Sequence, residues 1–322
     1  MIRSLRRIKW LLQWYLTTKS LFWTFVFFKH DIPPIYSVYA DKNGDLVIPD
    51  SDIKIPKKEN IEPLIEAFAE LHALALSGAR FIAGAPWHQI EMDGLRFNVY
   101  TPQSIRIIAE IFLLRVYEIS LHDKPVVIDI GMNVGISVLF FAKTLDCHVY
   151  GYEPFKDTYK QAVNNIKLNP LYSHNIFAFQ TGVGSDNRKE EFVFCPEVPG
   201  DCGIVPIPES YRQGRQSSVE KVEIRSAAEV VALVLKKERS RSIVLKIDCE
   251  GMEYEIIECL ADAGLLSKIS AIIMEWHRRG GLGDPVHLHS TLASNGFVLF
   301  GNPNKKSDVG MLYAVNSKMK LK

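Results

Sequence analysis

The chain has 322 residues, 47% of them hydrophobic and 23% charged, enough for one α/β domain with an extension and too ordinary a composition for disorder. Its 38 lysines and arginines against 37 aspartates and glutamates leave a formal charge of +1, so no global field draws it to a nucleic acid or an acidic polymer. The five cysteines, Cys147, Cys195, Cys202, Cys249 and Cys259, are odd in number and form no C-x-x-C pair. They read as free thiols of a reducing, cytoplasmic compartment rather than a disulfide framework.

Residues 1–30 open with Arg3, Arg6, Arg7 and Lys9 and continue as an aromatic-rich apolar run to Phe28. A spanning helix needs about 20 mostly apolar residues, and Gln13, Thr17, Thr18, Lys19 and Ser20 interrupt this run. It reads as one or two helices docked on the catalytic domain or a partner, with an interfacial membrane anchor and a true span as the alternatives. Pro33, Pro34, Pro49 and Pro56, with the Asn43-Gly44 turn signal, predict an extended linker with one hairpin over residues 31–60. Apolar residues at steps of three and four predict a helix from Ile61 to Ser77, stopped by Gly78, and a second from Ser104 to Leu121.

From Val126 the pattern alternates between strand and helix. Val126-Val127-Ile128-Asp129-Ile130 is a short β-branched run without polar alternation until its end, as a parallel strand covered on both faces requires. Strands follow at His148–Tyr152, Asn175–Thr181, Ser242–Ile247 and Ala271–Met274. Helices are predicted over Val134–Thr144, Lys156–Leu168, Ala227–Lys237, Tyr254–Leu260 and Pro285–Asn295. Phe297–Phe300 and Met311–Val315, joined through Asn302-Pro303-Asn304, form a closing hairpin, which makes the last strand antiparallel to an otherwise parallel sheet. The expected organisation is a mainly helical N-terminal extension over residues 1–90 and an α/β catalytic domain over 91–322.

Five segments carry chemistry. The turn Asp129-Ile130-Gly131-Met132-Asn133-Val134-Gly135 lies at the carboxyl end of the first parallel strand, where ligands bind in open α/β sheets. Gly131 and Gly135 admit close backbone approach, and Asn133 is expected to cap the next helix. Glu153, in Tyr152-Glu153-Pro154, puts a carboxylate at the same edge, where it can accept hydrogen bonds from both ribose hydroxyls of a nucleoside. Asn133 stands where a dinucleotide fingerprint needs its second glycine, which counts against an NAD-dependent oxidoreductase. S-adenosylmethionine carries a sulfonium and an amino group and no phosphate, so Asp129 beside the turn is an asset. The segment Thr181-Gly182-Val183-Gly184-Ser185-Asp186 is expected to lend backbone amides of Gly182 and Val183 beside the adenine, with Asp186 as a further candidate contact.

Asp248 and Glu250, in Lys246-Ile247-Asp248-Cys249-Glu250-Gly251-Met252-Glu253, face the transferable methyl group. The fifth segment, Met274-Glu275-Trp276-His277-Arg278-Arg279, adds an imidazole. An alcohol acceptor needs a base for its proton, and His277 has the side chain suited to that task near neutrality, with Asp248 or Glu250 as the other candidates. His277 also reads as a structural histidine paired with Glu275 or Glu250. The carboxylates Asp248, Glu250, Glu253 and Glu275 are read as solvated or paired rather than as a metal centre.

At these segments the chain resembles the FkbM methyltransferases, with Asn164-Asn165 and Val183-Gly184-Ser185 extending the match to roughly Gly94–Phe300. The resemblance implies a Rossmann-like class I methyltransferase fold with a seven-stranded sheet and S-adenosylmethionine as methyl donor. It also implies O-methylation of a sugar, glycan or polyketide-like hydroxyl. It carries over Gly131, Asn133, Gly135 and Glu153 as cofactor contacts, and Asp248, Glu250 and His277 as residues at the reacting edge. The first 90 residues and the stretch Pro196–Glu220 are expected to shape the acceptor pocket. A membrane-docked binding module without turnover is the non-enzyme alternative.

Overall fold

The computed structural model describes residues 2–57, 61–84, 86–120, 124–197, 202–203, 216–238, 241–278, 283–301 and 307–317. The chain divides into two compact units, Met1–Val116 and Tyr117–Lys322.

The first unit begins with helices Ile2–Thr18 and Leu21–Lys29, broken at Lys19, whose φ of 53° lies in the left-handed region. Ser20 caps the second helix by accepting from the Trp23 amide. Residues 31–60, expected as a linker with one hairpin, carry an antiparallel three-stranded sheet of short strands: β1 (Tyr39–Ala40), β2 (Leu46–Val47) and β3 (Lys54–Ile55). The helix expected over Ile61–Ser77 is two, Glu62–Glu66 and Phe68–Leu76, separated at Ala67 (φ −113°, ψ 35°). A second meander follows: β4 (Arg80–Ile82), β5 (His88–Met92) and β6 (Leu95–Val99), the last two joined by Asp93-Gly94 with both residues at positive φ. The helix expected to run to Leu121 stops at Phe112, and Arg115 takes a φ of 54°.

The second unit is built on a seven-stranded sheet. Its strands are β7 (Val126–Ile130), β8 (His148–Tyr152), β9 (Ile176–Phe179), β13 (Ile243–Ile247), β14 (Ile269–His277), β15 (Phe297–Phe300) and β16 (Val309–Asn316), in the order β15-β16-β14-β13-β7-β8-β9. Strands β14, β13, β7, β8 and β9 are mutually parallel, and β16 pairs antiparallel with both β14 and β15. The Rossmann-like class I methyltransferase fold and the antiparallel last strand are therefore as expected, although Asn302-Pro303-Asn304 lies outside the described residues. Every residue of β7 and of β13 is buried, because helices cover both faces of the sheet.

A further sheet was not legible in the strand pattern. β10 (Gly182–Gly184), β11 (Arg188–Phe194) and β12 (Ser218–Ser226) associate in the order β10-β12-β11, with Phe192, Phe194, Val222 and Ile224 turned into the core shared with the central sheet. Strand order reverses between β7 and β13. The connections that leave these two neighbours therefore run to opposite sides, and the carboxyl ends border the crevice where open α/β sheets bind ligands.

Candidate active site

The turn after β7 is fixed from both sides. The Gly131 and Met132 amides each donate to the Tyr152 carbonyl at 3.0 Å, and the Asp248 amide donates to the Ile130 carbonyl at 3.0 Å. Gly131 has a φ of 82°, and a Cβ there would stand 1.8 Å from the Asp248 carbonyl oxygen. The glycine is thus demanded by protein backbone at the end of β13, a reason that does not depend on a ligand. Gly135, also at φ 82°, starts the helix Ile136–Thr144, and its Cβ would meet Ala162 at 3.1 Å. Asn133 does not cap that helix as expected. It takes a φ of 49°, and its Oδ1 accepts from the next amide, that of Val134, at 2.7 Å. The Val134 carbonyl is held by Asn165 Nδ2 at 2.8 Å, which gives the buried second asparagine of Asn164-Asn165 its role.

The carboxyl ends of β7, β8 and β13 and the small sheet β10-β12-β11 border a cavity that opens to solvent. Of the ten residues singled out in the sequence, Gly131, Asn133, Glu153, Gly182, Val183, Asp248 and Glu250 line it, and Asp129, Gly135 and His277 do not. Gly182 and Val183 do so from within a strand, since β10 pairs in parallel with β12. Asp186 is bound to Arg188 at 2.7 Å and does not line the cavity. Much of the stretch Pro196–Glu220 lies outside the described residues, but Cys202 and Gly203 line the cavity. Gly203 sits so tightly against Glu250 that a Cβ would fall 2.3 Å from the Glu250 Cβ. Cys202 and the other four cysteines are free thiols. Tyr152, Phe155, Phe192, Val222, Ile224 and Met252 supply apolar wall. Among the described residues no lysine or arginine lines the cavity.

Glu153 is buried, and its Oε1 accepts from the Phe155 amide at 3.0 Å. Burial pushes its pKa up to about 8, against the opposing pull of the Phe155 and Asn133 amides.

Lys246 was not singled out as functional, yet it organises the site. It is buried at the centre of the sheet, with Nζ 2.7 Å from the Gly131 carbonyl oxygen, 3.0 Å from Asp129 Oδ1 and 3.7 Å from Asp248 Oδ2. Burial works to lower its pKa, but Asp129 and Asp248 outweigh it and raise the pKa. Asp129 is therefore the buried counterion of a lysine that fastens the first turn to β13. Tyr117 completes this group: its hydroxyl donates to Asp248 Oδ2 at 3.1 Å, and its ring lies 5.3 Å from Lys246 Nζ. A charged residue inside the otherwise apolar run Ile243–Ile247 was the available signal for Lys246. An isolated charge would be expelled from such a strand, so a partner had to exist.

The loop after β13 turns on Glu253. Its buried carboxylate accepts from the Cys249 amide at 3.2 Å, from the Gly251 amide at 2.9 Å and from His277 Nδ1 at 2.9 Å. Glu250 reaches the cavity at a φ of 52°. His277, at the end of β14, places Nε2 3.4 Å from Glu250 Oε1 and 4.0 Å from Glu275 Oε1. Burial opposes its charge, but the hydrogen bond to Glu253 and the charges of Glu253 and Glu250 prevail and bring its pKa up to about 9. The carboxylates that raise its pKa favour the imidazolium form. The ligating atoms of Asp248, Glu250 and His277 lie within 4.8 Å of one another, though the imidazole is already engaged on both nitrogens. Arg279, from the same segment, lies outside the described residues.

The sequence matches the methyltransferase FkbM domain over residues 129–299, just over half of the chain. No curated protein matches it. Among solved structures it is similar to methyltransferase FkbM from Methylobacillus flagellatus KT, at 12% identity and a TM-score of 0.40, over 78% of this chain and 59% of that one. The chain thus spans about three fifths of the length of that protein. It is also similar to the N-terminal domain of human METTL16 in complex with SAH, at 14% identity, TM-score 0.37 and coverage of 87% and 89%. TrmK from M. capricolum, in complex with S-adenosyl-homocysteine, is 10% identical with a TM-score of 0.35 and coverage of 64% and 68%. These distant likenesses say nothing about the acceptor. With just over half of its length inside the matched domain, the chain belongs to the FkbM methyltransferases.

Proposed function

We propose that this protein transfers the methyl group of S-adenosylmethionine to a hydroxyl of a sugar, glycan or polyketide-like natural product. The observation that carries this reading is the character of the cavity. Three carboxylates, Glu153, Asp248 and Glu250, face an apolar-walled space that no lysine or arginine of the described residues enters. Among the described residues a diphosphate would meet no cation there, which disfavours a dinucleotide. A sulfonium nucleoside would meet acids, and its adenine would meet Phe155, Val183, Val222 and Ile224. Glu153 would hold the ribose hydroxyls, while Asn133 and Gly131 border the same nucleoside.

S-adenosylmethionine, when bound, supplies a methyl group already activated for in-line displacement. The chain's own work is then alignment, exclusion of water and removal of the acceptor's proton. Asp248 is the group assigned to take that proton. It lines the cavity with its side chain about a quarter exposed, and Tyr117 and Lys246 fix its orientation. His277, first considered for this task, is assigned a positioning role: as a cation it holds Glu250 and Glu253 and so sets the shape of the loop. Asp129 acts through Lys246, and Gly135 through the helix it opens.

Transfer of labelled methyl from S-adenosylmethionine to a panel of sugars, glycans and polyketides tests the reading. Label in a hydroxyl ether supports it, and label found only in RNA or on nitrogen contradicts the acceptor class. Two binding predictions follow from Glu153. Glu153→Ala is expected to weaken S-adenosylhomocysteine binding by about 1–3 kcal/mol, through loss of hydrogen bonds to a charged acceptor. Calorimetry that finds the dissociation constant unchanged removes that role.

The second prediction concerns pH. Ribose hydroxyls donate to the ionised carboxylate, so the ligand lowers the Glu153 pKa from about 8 in the free protein. Below that pH a proton must leave on binding. Affinity should therefore rise by up to about tenfold per unit between pH 6 and 8, flatten above it, and lose this dependence in Glu153→Gln. A flat profile in the parent protein contradicts the assignment.

A further inference from the structure

The two helices Ile2–Thr18 and Leu21–Lys29 each carry two apolar faces. One face is used within their own unit: Trp14, Trp23 and Phe27 are fully buried, with Trp14 and Phe27 ring centroids 4.2 Å apart. Both indole N–H groups are satisfied there, Trp14 Nε1 donating to the Ile32 carbonyl at 2.9 Å and Trp23 Nε1 to the Gly44 carbonyl at 2.8 Å. That inner face fixes how the helices are rotated. The rotation leaves Ile8, Leu12, Tyr15 and Leu16, at helical spacing on the first helix, and Leu21 and Phe25 on the second, exposed by 44–66%. A helix serving only to cover a core would present polar side chains outward.

The charge around this face selects its occupant. Residues 1–30 contain no aspartate or glutamate and six basic residues: Arg3, Arg6, Arg7, Lys9, Lys19 and Lys29. Arg7 is engaged by Asp31 and Lys29 by Glu62, while Arg6, Lys9 and Lys19 are exposed beside the apolar residues. A second copy of the chain would bring this same basic rim against itself. A nucleic acid would leave the apolar centre unused. A bilayer with anionic headgroups satisfies both, taking the apolar side chains into its acyl boundary and the cations at its phosphates. No described helix is long and apolar enough to cross a membrane, so the geometry is that of a helix pair lying in the surface.

We infer that the face formed by Ile8, Leu12, Tyr15, Leu16, Leu21 and Phe25 docks on an anionic lipid surface. The test is sedimentation of the full chain with phosphatidylcholine vesicles, with and without phosphatidylglycerol. Binding to the anionic vesicles should exceed binding to the neutral ones by at least about tenfold, and should fall with salt. Leu12→Glu combined with Phe25→Glu should reduce it by at least about tenfold while the melting temperature holds, since both positions are exposed. Arg6→Glu and Lys9→Glu should each reduce it by roughly fivefold or more. Failure to bind either vesicle overturns the inference. So does binding that the Leu12/Phe25 variant leaves intact, or a dimer that this variant disperses in a protein that never sediments with lipid. None of these outcomes bears on the methyl-transfer reading, which is measured with soluble acceptors.

Discussion

Gly131→Ala is expected to lower the unfolding free energy by about 2–5 kcal/mol, the left-handed conformation contributing about 1–2 and forced repacking against backbone about 1–3. The obstacle is the Asp248 carbonyl, 1.8 Å from where the new methyl would stand. This carbonyl belongs to the residue that follows β13, whose own amide is tied to the Ile130 carbonyl at 3.0 Å. Relief would require the loop carrying Asp248 and Glu250 to move, so cofactor affinity should fall together with stability. Gly135→Ala makes a sharp comparison. Its backbone strain is the same, with φ again 82°, but the nearest atoms belong to Ala162 at 3.1 Å. Its cost should stay near about 1–2 kcal/mol. Urea denaturation of the two variants measures the difference, and equal midpoints would show that the contact with Asp248 has no energetic weight.

Asp248→Asn is expected to lower turnover by roughly 10²–10⁴-fold, the range for loss of a positioned base, with affinity for S-adenosylhomocysteine nearly unchanged. Asparagine keeps the shape and can still accept from the Tyr117 hydroxyl, now 3.1 Å from Asp248 Oδ2. Asp129 remains as a counterion for Lys246 at 3.0 Å. A fall in kcat without a rise in the KM for the methyl donor separates lost chemistry from lost binding. Tyr117→Phe should give a smaller decrease, because it removes an orienting hydrogen bond and leaves the carboxylate in place. Near-normal turnover of Asp248→Asn would transfer the proton-accepting role to Glu250, the neighbouring carboxylate in the cavity.

The central sheet was legible because its strands are apolar on both faces. Val126–Ile130 and Ile243–Ile247 are buried at every position, and runs that are apolar except at Asp129 and Lys246 record that directly. The sheet β10-β12-β11 was not, since Arg188–Phe194 and Ser218–Ser226 expose charged side chains on alternate residues and so resemble loop in composition. Alternation was the missed signal there. In β5-β6 it was the Asp93-Gly94 pair between two half-buried runs, the strongest short-range mark of a hairpin.

At the site, the cavity-lining acids Glu153, Asp248 and Glu250 were visible because each closes a strand or follows one, and topology alone brings strand ends together. What sequence could not supply was the pairing across strands. His277 bonds to Glu253, 24 positions earlier, and that contact raises the pKa of the imidazole. Lys246 reaches the Gly131 carbonyl from 115 positions away. Electrostatic roles set by such partners are properties of the fold, not of the residue type.

Every residue role assigned at the cavity follows from where the nucleoside lies. A crystal structure of the protein with S-adenosylhomocysteine measures this directly. The ribose hydroxyls are predicted within hydrogen-bonding distance of Glu153, the sulfur on the side of Asp248 and Glu250, and the adenine against Val183 and Ile224. A nucleoside bound elsewhere, or a ribose held by any group other than Glu153, would contradict it.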